Sequence, residues 1–169
     1  MRKFLDGLYF SSGVLAALCL VAILLIIVLQ MVSRWFSVPF PGSSEYAGYL
    51  MAASSFLAFA YALNSGAHIR VSLLLNALGS RKIWLEIWCM LIGAAASSYL
   101  AWYAVKAIYW SLKFKDVSQG QDATPLWIVQ LPVAFGAILL AISFWDNLLA
   151  LVTTRKDNIR GERLEGPEV

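Results

Sequence analysis

The sequence predicts an all-α integral membrane protein, with four transmembrane helices and a short amphipathic interfacial helix between helices two and three. Three observations carry this reading. Of the 169 residues, 60% are hydrophobic and 14% are charged, where an ordinary soluble domain carries about 25% charged residues. The mean hydropathy is +0.71, so the bilayer is the natural solvent for this chain. Four apolar stretches, at about 8–33, 46–67, 83–105 and 125–146, each approach the roughly 20 residues that cross a hydrocarbon core.

The first span has no charge between Asp6 and Arg34. Arg2 and Lys3 precede it in the manner of a signal peptide, but its apolar run exceeds the about 7–15 residues of a cleaved segment, and no A-x-A site follows. It is expected to remain as an anchor. At 1.5 Å per residue it would be roughly 38–40 Å long, so it must tilt or protrude from a core of about 30 Å.

A link rich in turn formers follows, Ser37-Val38-Pro39-Phe40-Pro41-Gly42-Ser43-Ser44-Glu45. Its prolines and glycine stop the first helix, and its serines are expected to cap the second. Glu45 then lies in the first turn, where the helix dipole favours an anion. It is also a candidate polar contact to a partner. Ala58, Ala62 and Gly66 recur every fourth position on helix two, and Gly93, Ser97 and Ala101 do so on helix three. Close backbone approach holds helices together in lipid, so these two faces are expected to pack on each other.

After Gly66 comes the only histidine, in Gly66-Ala67-His68-Ile69-Arg70-Val71. Val71, Leu74, Leu75 and Leu78 follow i, i+3, i+4, i+7, which predicts an interfacial helix at about 69–78. Gly79-Ser80 ends it, and Arg81-Lys82 hold the start of helix three at the headgroups. The link from Lys106 to Ala123 is the longest. Thr124 is expected as N-cap of helix four and Pro125 as its first residue, with a kink at Pro132. Residues 1–155 form the membrane domain, and 156–169 a polar cytoplasmic tail expected to be disordered.

Cationic residues set orientation. With the N-terminus inside, nine lie on the cytoplasmic side (Arg2, Lys3, Arg70, Arg81, Lys82, Arg155, Lys156, Arg160 and Arg163) and four outside (Arg34, Lys106, Lys113 and Lys115). Both termini are therefore expected in the cytoplasm. Trp35, Trp110 and Trp127 form one aromatic belt, and Trp84, Trp88 and Trp145 the other, while Trp102 is expected to be a packing residue. The net charge of +3 is dispersed, which excludes nucleic acid as a partner and leaves membrane lipids.

Function is constrained by what the spans lack. Ion relays and transport sites need ionisable groups inside the membrane, and none of the four stretches holds one near its middle. Glu45, Glu86, Lys106 and Asp146 fall at ends. The deeper polar residues Ser54, Ser55, Asn64, Ser97, Ser98, Gln130 and Ser143, with Gln30 and Ser33 towards the outer end of helix one, are expected to act as interhelical glue. Cys19 and Cys89 show no metal or redox spacing and are expected to be small buried hydrophobes. No nucleophile–base or metal constellation is present, so the chain is expected not to be an enzyme and to hold no cofactor or metal. An accessory subunit is the favoured reading. The alternative is a self-contained homo-oligomeric transporter or channel, whose path Asn64, Gln130 and Ser97 would have to line.

Two runs carry a resemblance. Ser44-Glu45-Tyr46, a span rich in small and aromatic residues, and then Gly66-Ala67-His68-Ile69-Arg70-Val71 form the first; Thr124-Pro125-Leu126-Trp127-Ile128-Val129-Gln130-Leu131-Pro132 with Gly136 forms the second. Over roughly residues 1–155 the chain resembles the small membrane subunit, the Q-type or DctQ-like component, of the tripartite ATP-independent periplasmic (TRAP) transporters. Ser72 stands where many relatives carry an acidic residue, which speaks against a fixed salt bridge there. The resemblance implies a multi-pass protein of the bacterial inner membrane. Its partners would be a separate large membrane subunit, which carries the substrate and the coupling Na+, and a periplasmic substrate-binding protein that delivers an organic acid such as a dicarboxylate or a sialic acid. It also implies that Glu45, Tyr46, Gly66, His68, Arg70, Thr124, Pro125 and Trp127 serve as motif or interface positions, with no catalytic residue.

Overall fold

The computed structural model describes residues 2–64, 82–120 and 123–154. They contain four helices: α1 (Arg2–Trp35), α2 (Ser43–Asn64), α3 (Lys82–Phe114) and α4 (Leu126–Thr154). All four are long and apolar enough to cross a membrane. Among the described residues there is no strand, only an isolated bridge between Val117 and Pro125. The expected interfacial helix at 69–78 and the tail at 156–169 fall outside the described residues.

The helices run alternately up and down. The α1–α2 link and the α3–α4 link share one end, called here the hairpin end, and the two described termini share the other. Helix α3 continues from Val105 through Lys106 to Phe114. Lysine is a good helix former whose stem can lie along apolar surface, and Ala107-Ile108-Tyr109-Trp110 resume the apolar run. The apolar span of α3 is thus Ile87–Phe114. Lys106 lies inside it, a correction to the expectation that this charge sits at a span's end. Helix α4 likewise passes through Pro132 without a break.

Packing follows the order α1, α2, α4, α3, because the extensive contacts are α1 with α2, α2 with α4, and α3 with α4. Among the described residues the expected pairing of helix two with helix three is therefore not an extensive contact; α4 stands between them. The reason lies in the small residues of α4. A Cβ placed on Gly136 would lie 2.5 Å from the backbone carbonyl carbon and oxygen of Phe56 and 2.9 Å from the nitrogen of Leu57, so only glycine permits this approach of α2 and α4. Ala134 and Ala137 flank that contact and are buried. On its other side α4 sends Phe144 against Gly93 of α3, where an added Cβ would meet the ring at 2.5 Å.

Helix α1 joins the row through Gly13, whose Cβ position is filled by Tyr61 of α2 at 2.9 Å, and through an edge-on contact of Phe10 with Tyr61. Near the terminal end, buried Tyr9 of α1, Ala60 of α2 and Leu139 of α4 form a core cluster, with Leu5 and Leu8 against it. These contacts bury small side chains and leave many large ones outside: Leu24, Leu25, Trp88 and Tyr99 are each at least 60% exposed. Inverted burial of that kind is the arrangement a bilayer solvent favours. Trp102 belongs to the same outward set at 72% exposed, against its expected packing role, and Cys89 is exposed while Cys19 is half-buried.

Most serines in the spans satisfy themselves within their own helix. Ser54 and Ser55 donate to the Met51 carbonyl, Ser97 and Ser98 to that of Ala94, and Ser33 to that of Gln30. In hydrocarbon a hydroxyl finds its nearest acceptor one turn back, so Ser33, Ser54, Ser55 and Ser97 are not the interhelical glue expected of them. Two side chains of that set do bridge helices. Ser111 Oγ donates to Gln130 Oε1 at 3.0 Å, and Trp145 Nε1 donates to Ser98 Oγ at 3.0 Å.

Candidate docking surface at the hairpin end

Two helices end at this face by the same device. At the end of α1, Val38 N–H donates to the Ser33 carbonyl at 3.0 Å and Ser37 N–H to that of Arg34 at 3.2 Å. Ser37 adopts φ 54°. At the end of α3, Asp116 N–H reaches the Ser111 carbonyl at 3.1 Å, with Lys115 at φ 53°. A bond from the second residue past the helix back to its last turn, across a left-handed residue, is the Schellman closure. Here serine and lysine occupy positions that usually carry glycine, so both turns hold modest backbone strain.

The chain then forms a short hairpin. Ser118 N–H donates to the Thr124 carbonyl at 2.7 Å and Leu126 N–H to the Asp116 carbonyl at 3.1 Å, with Val117 and Pro125 bridged between them. Sequence reasoning placed Pro125 as the first helical residue, whereas α4 opens at Leu126. The cause is the hairpin: Pro125 is held in the bridge with Val117, and Leu126 N–H donates to the Asp116 carbonyl of the same hairpin. The carbonyl of Thr124 is engaged by Ser118 in the same hairpin, beside the start of the helix.

The hairpin is seated on the first turns of α2. Tyr49 Oη and Ser118 Oγ share a hydrogen bond, and Ser118 Oγ also accepts from Gly120 N–H at 3.2 Å. Gly120 lies against Glu45: a Cβ there would be 2.7 Å from the carboxyl carbon. Glu45 stands in the first turn of α2, where the exposed N–H groups favour its charge. The first intrahelical bond of α2 runs from Tyr46 N–H to the Gly42 carbonyl at 3.1 Å. Gly42, at φ 78°, is thus the N-cap, in place of the serines expected there. Tyr46 meets the Tyr49 ring edge-on at 6.3 Å.

Of the residues singled out from sequence, the structure gathers Glu45, Tyr46, Thr124 and Pro125 around one end of the row, and Trp127 stands half-buried in the first turn of α4. Gly66, His68 and Arg70 lie outside the described residues. Sequence reasoning missed Tyr49, Ser118 and Gly120, which tie the hairpin to α2. The only signal for them was a polar run in the longest link, which does not name its partner. The aromatic and cationic side chains beside the hairpin were visible, but their pairing was not. Lys113 Nζ lies 5.0 Å from the Trp110 ring, and Trp110 stacks on Phe114 at 5.2 Å.

The face so built combines fixed backbone, a buried carboxylate edge and an aromatic rim. No group of three or more histidine, cysteine, aspartate or glutamate side chains able to hold a metal occurs among the described residues. Gln130 and Ser97, which a polar conduit would need, are engaged inside the row by Ser111 and by the Ala94 carbonyl.

Residues 23–154 fit the sequence model of the family described as the tripartite ATP-independent periplasmic transporters, DctQ component. No curated protein and no solved structure matches the chain.

Proposed function

The chain belongs to the DctQ family, the small membrane subunit of tripartite ATP-independent periplasmic transporters, and from that premise we propose that it braces a large transport subunit and helps to dock a periplasmic binding protein. It is a transporter component, and its family is not an enzyme family. In this reading the hairpin end faces the periplasm and both termini face the cytoplasm of a bacterial cell, as the distribution of cationic residues favours. The large subunit, a separate chain, carries the organic acid and the coupling Na+; a dicarboxylate or a sialic acid is the class of substrate expected.

The observation that carries the docking role is the hairpin end itself. Helix closures at Ser37 and Lys115, and the seating of Ser118 and Gly120 on Tyr49 and Glu45, make it a preorganised surface, and preorganisation reduces the ordering cost of association. The bracing role is supported by helices α1 and α3, which flank the row and offer exposed apolar faces to a larger membrane partner.

Co-expression with a large subunit and a binding protein of the same transporter class tests the reading. A tag on this chain should recover the large subunit in mild detergent, and the binding protein should attach more weakly when the hairpin is disrupted by Ser118→Pro. Recovery of this chain as a stable homomer without the large subunit would overturn the proposal.

A further inference from the structure

Lys106 is the cation that the family-level reading leaves without a purpose, and its level along the row follows from contacts. Ser111 of α3 meets Gln130 of α4 at 3.0 Å. Five residues further from the hairpin end along α3 is Lys106; six residues further along α4 is Gly136, which lies against Phe56 of α2. At 1.5 Å per residue, Lys106 and Gly136 are level to within about 2 Å. Lys106 is therefore about 13 Å along the row from the first turn of α4, and it lies inside the apolar span Ile87–Phe114.

Its direction follows from the helix period. Lys106 is about 140° round the helix from Ser111, at 100° per residue, and so points away from α4. Tyr99, Tyr103 and Trp110 share its side, at 65%, 49% and 39% exposed, and Lys106 is itself exposed. Among the described residues its ammonium group has the Tyr103 ring, 5.7 Å from the centroid. A tyrosine face partly offsets the loss of water, but a charge inside an apolar span is expensive and is normally met by a counter-charge.

Resting on the reading above, we propose that the Tyr99–Tyr103–Lys106–Trp110 stripe of α3 is the surface that receives a membrane-embedded helix of the large transport subunit, and that a carboxylate on that helix pairs with Lys106. Charge complementarity selects this occupant over lipid tails, which offer Lys106 no acceptor. Among the described residues helix α3 packs extensively against α4 alone, which leaves this side to a partner.

The test is photo-crosslinking in the co-expressed complex, with Tyr103→p-benzoylphenylalanine in this chain, alongside Lys106→Gln and Lys106→Arg. The expected result is a covalent adduct with the large subunit, recovery of that subunit lowered about tenfold by Lys106→Gln, and recovery kept by Lys106→Arg. Co-purification of the large subunit with adducts only to phospholipid, or with recovery unchanged in Lys106→Gln, overturns this inference and leaves the accessory-subunit reading standing. Failure of the large subunit to co-purify with the unsubstituted chain overturns both.

Discussion

At the scale of single residues, the row depends on a few positions where nothing larger fits. Gly136 is the clearest, because the atoms that would meet its Cβ belong to the backbone of Phe56 and Leu57 and cannot turn aside. Gly136→Ala should therefore separate α2 from α4 and lower stability by about 1–3 kcal/mol, read as a fall in the thermal midpoint in detergent. Gly48 sits in the same helix as Phe56 with nothing within 4 Å of its Cβ position. Gly48→Ala should leave the midpoint unchanged or raise it slightly, since alanine is the better helix former. Equal destabilisation by both would contradict the close approach drawn here. The two glycines look alike in sequence; only the neighbour across the interface tells them apart.

At the scale of elements, the four spans were legible because length and hydropathy alone identify them. Their order in space was not. The stripes Ala58, Ala62, Gly66 and Gly93, Ser97, Ala101 mark faces suited to close contact, but a small-residue face does not state its partner. Helix α4, whose small residues Ala134, Gly136, Ala137 and Ser143 are all buried, outcompeted both for the central place. The hairpin was equally hidden, since Ser118 and Thr124 pair through backbone groups that every residue possesses. Lys106 misled for a different reason: a charge in sequence reads as the end of a span, yet the helix runs on beyond it.

Element ends give two further predictions. Ser37 holds φ 54° at the close of α1, where glycine carries no Cβ penalty. Ser37→Gly should raise stability by about 1 kcal/mol, measured by thermal unfolding, and a decrease would show that the turn is held by its side chain. Ser118→Ala removes the acceptor of Gly120 N–H and the partner of Tyr49. Loss of about 1 kcal/mol of hairpin stability should speed amide exchange at Gly120 by roughly fivefold while leaving the helix amides of α2 unchanged.

At the scale of the whole molecule, the row is thin. Four helices packed α1, α2, α4, α3 give the two flanking helices one extensive neighbour each, and much of the apolar surface looks outward. A self-sufficient carrier encloses its polar path between helices; here the bridging polar pairs Ser111–Gln130 and Ser98–Trp145 are engaged in holding α3 to α4. The family places the chain in an assembly with a large membrane subunit and a substrate-binding protein, and the open flanks are suited to such a neighbour. In the proposed assembly the hairpin end with Glu45, Tyr46, Thr124, Pro125 and Trp127 would meet the binding protein, and α3 would meet the large subunit.

The claim that this chain braces a transporter without transporting by itself is tested most directly by uptake into proteoliposomes. Vesicles carrying this chain alone, the large subunit alone, or both would be given the binding protein loaded with its organic acid and an inward sodium gradient. The account predicts no uptake with this chain alone and strong uptake only when both membrane subunits are present. Uptake by this chain alone, or a large subunit equally active without it, would contradict the account.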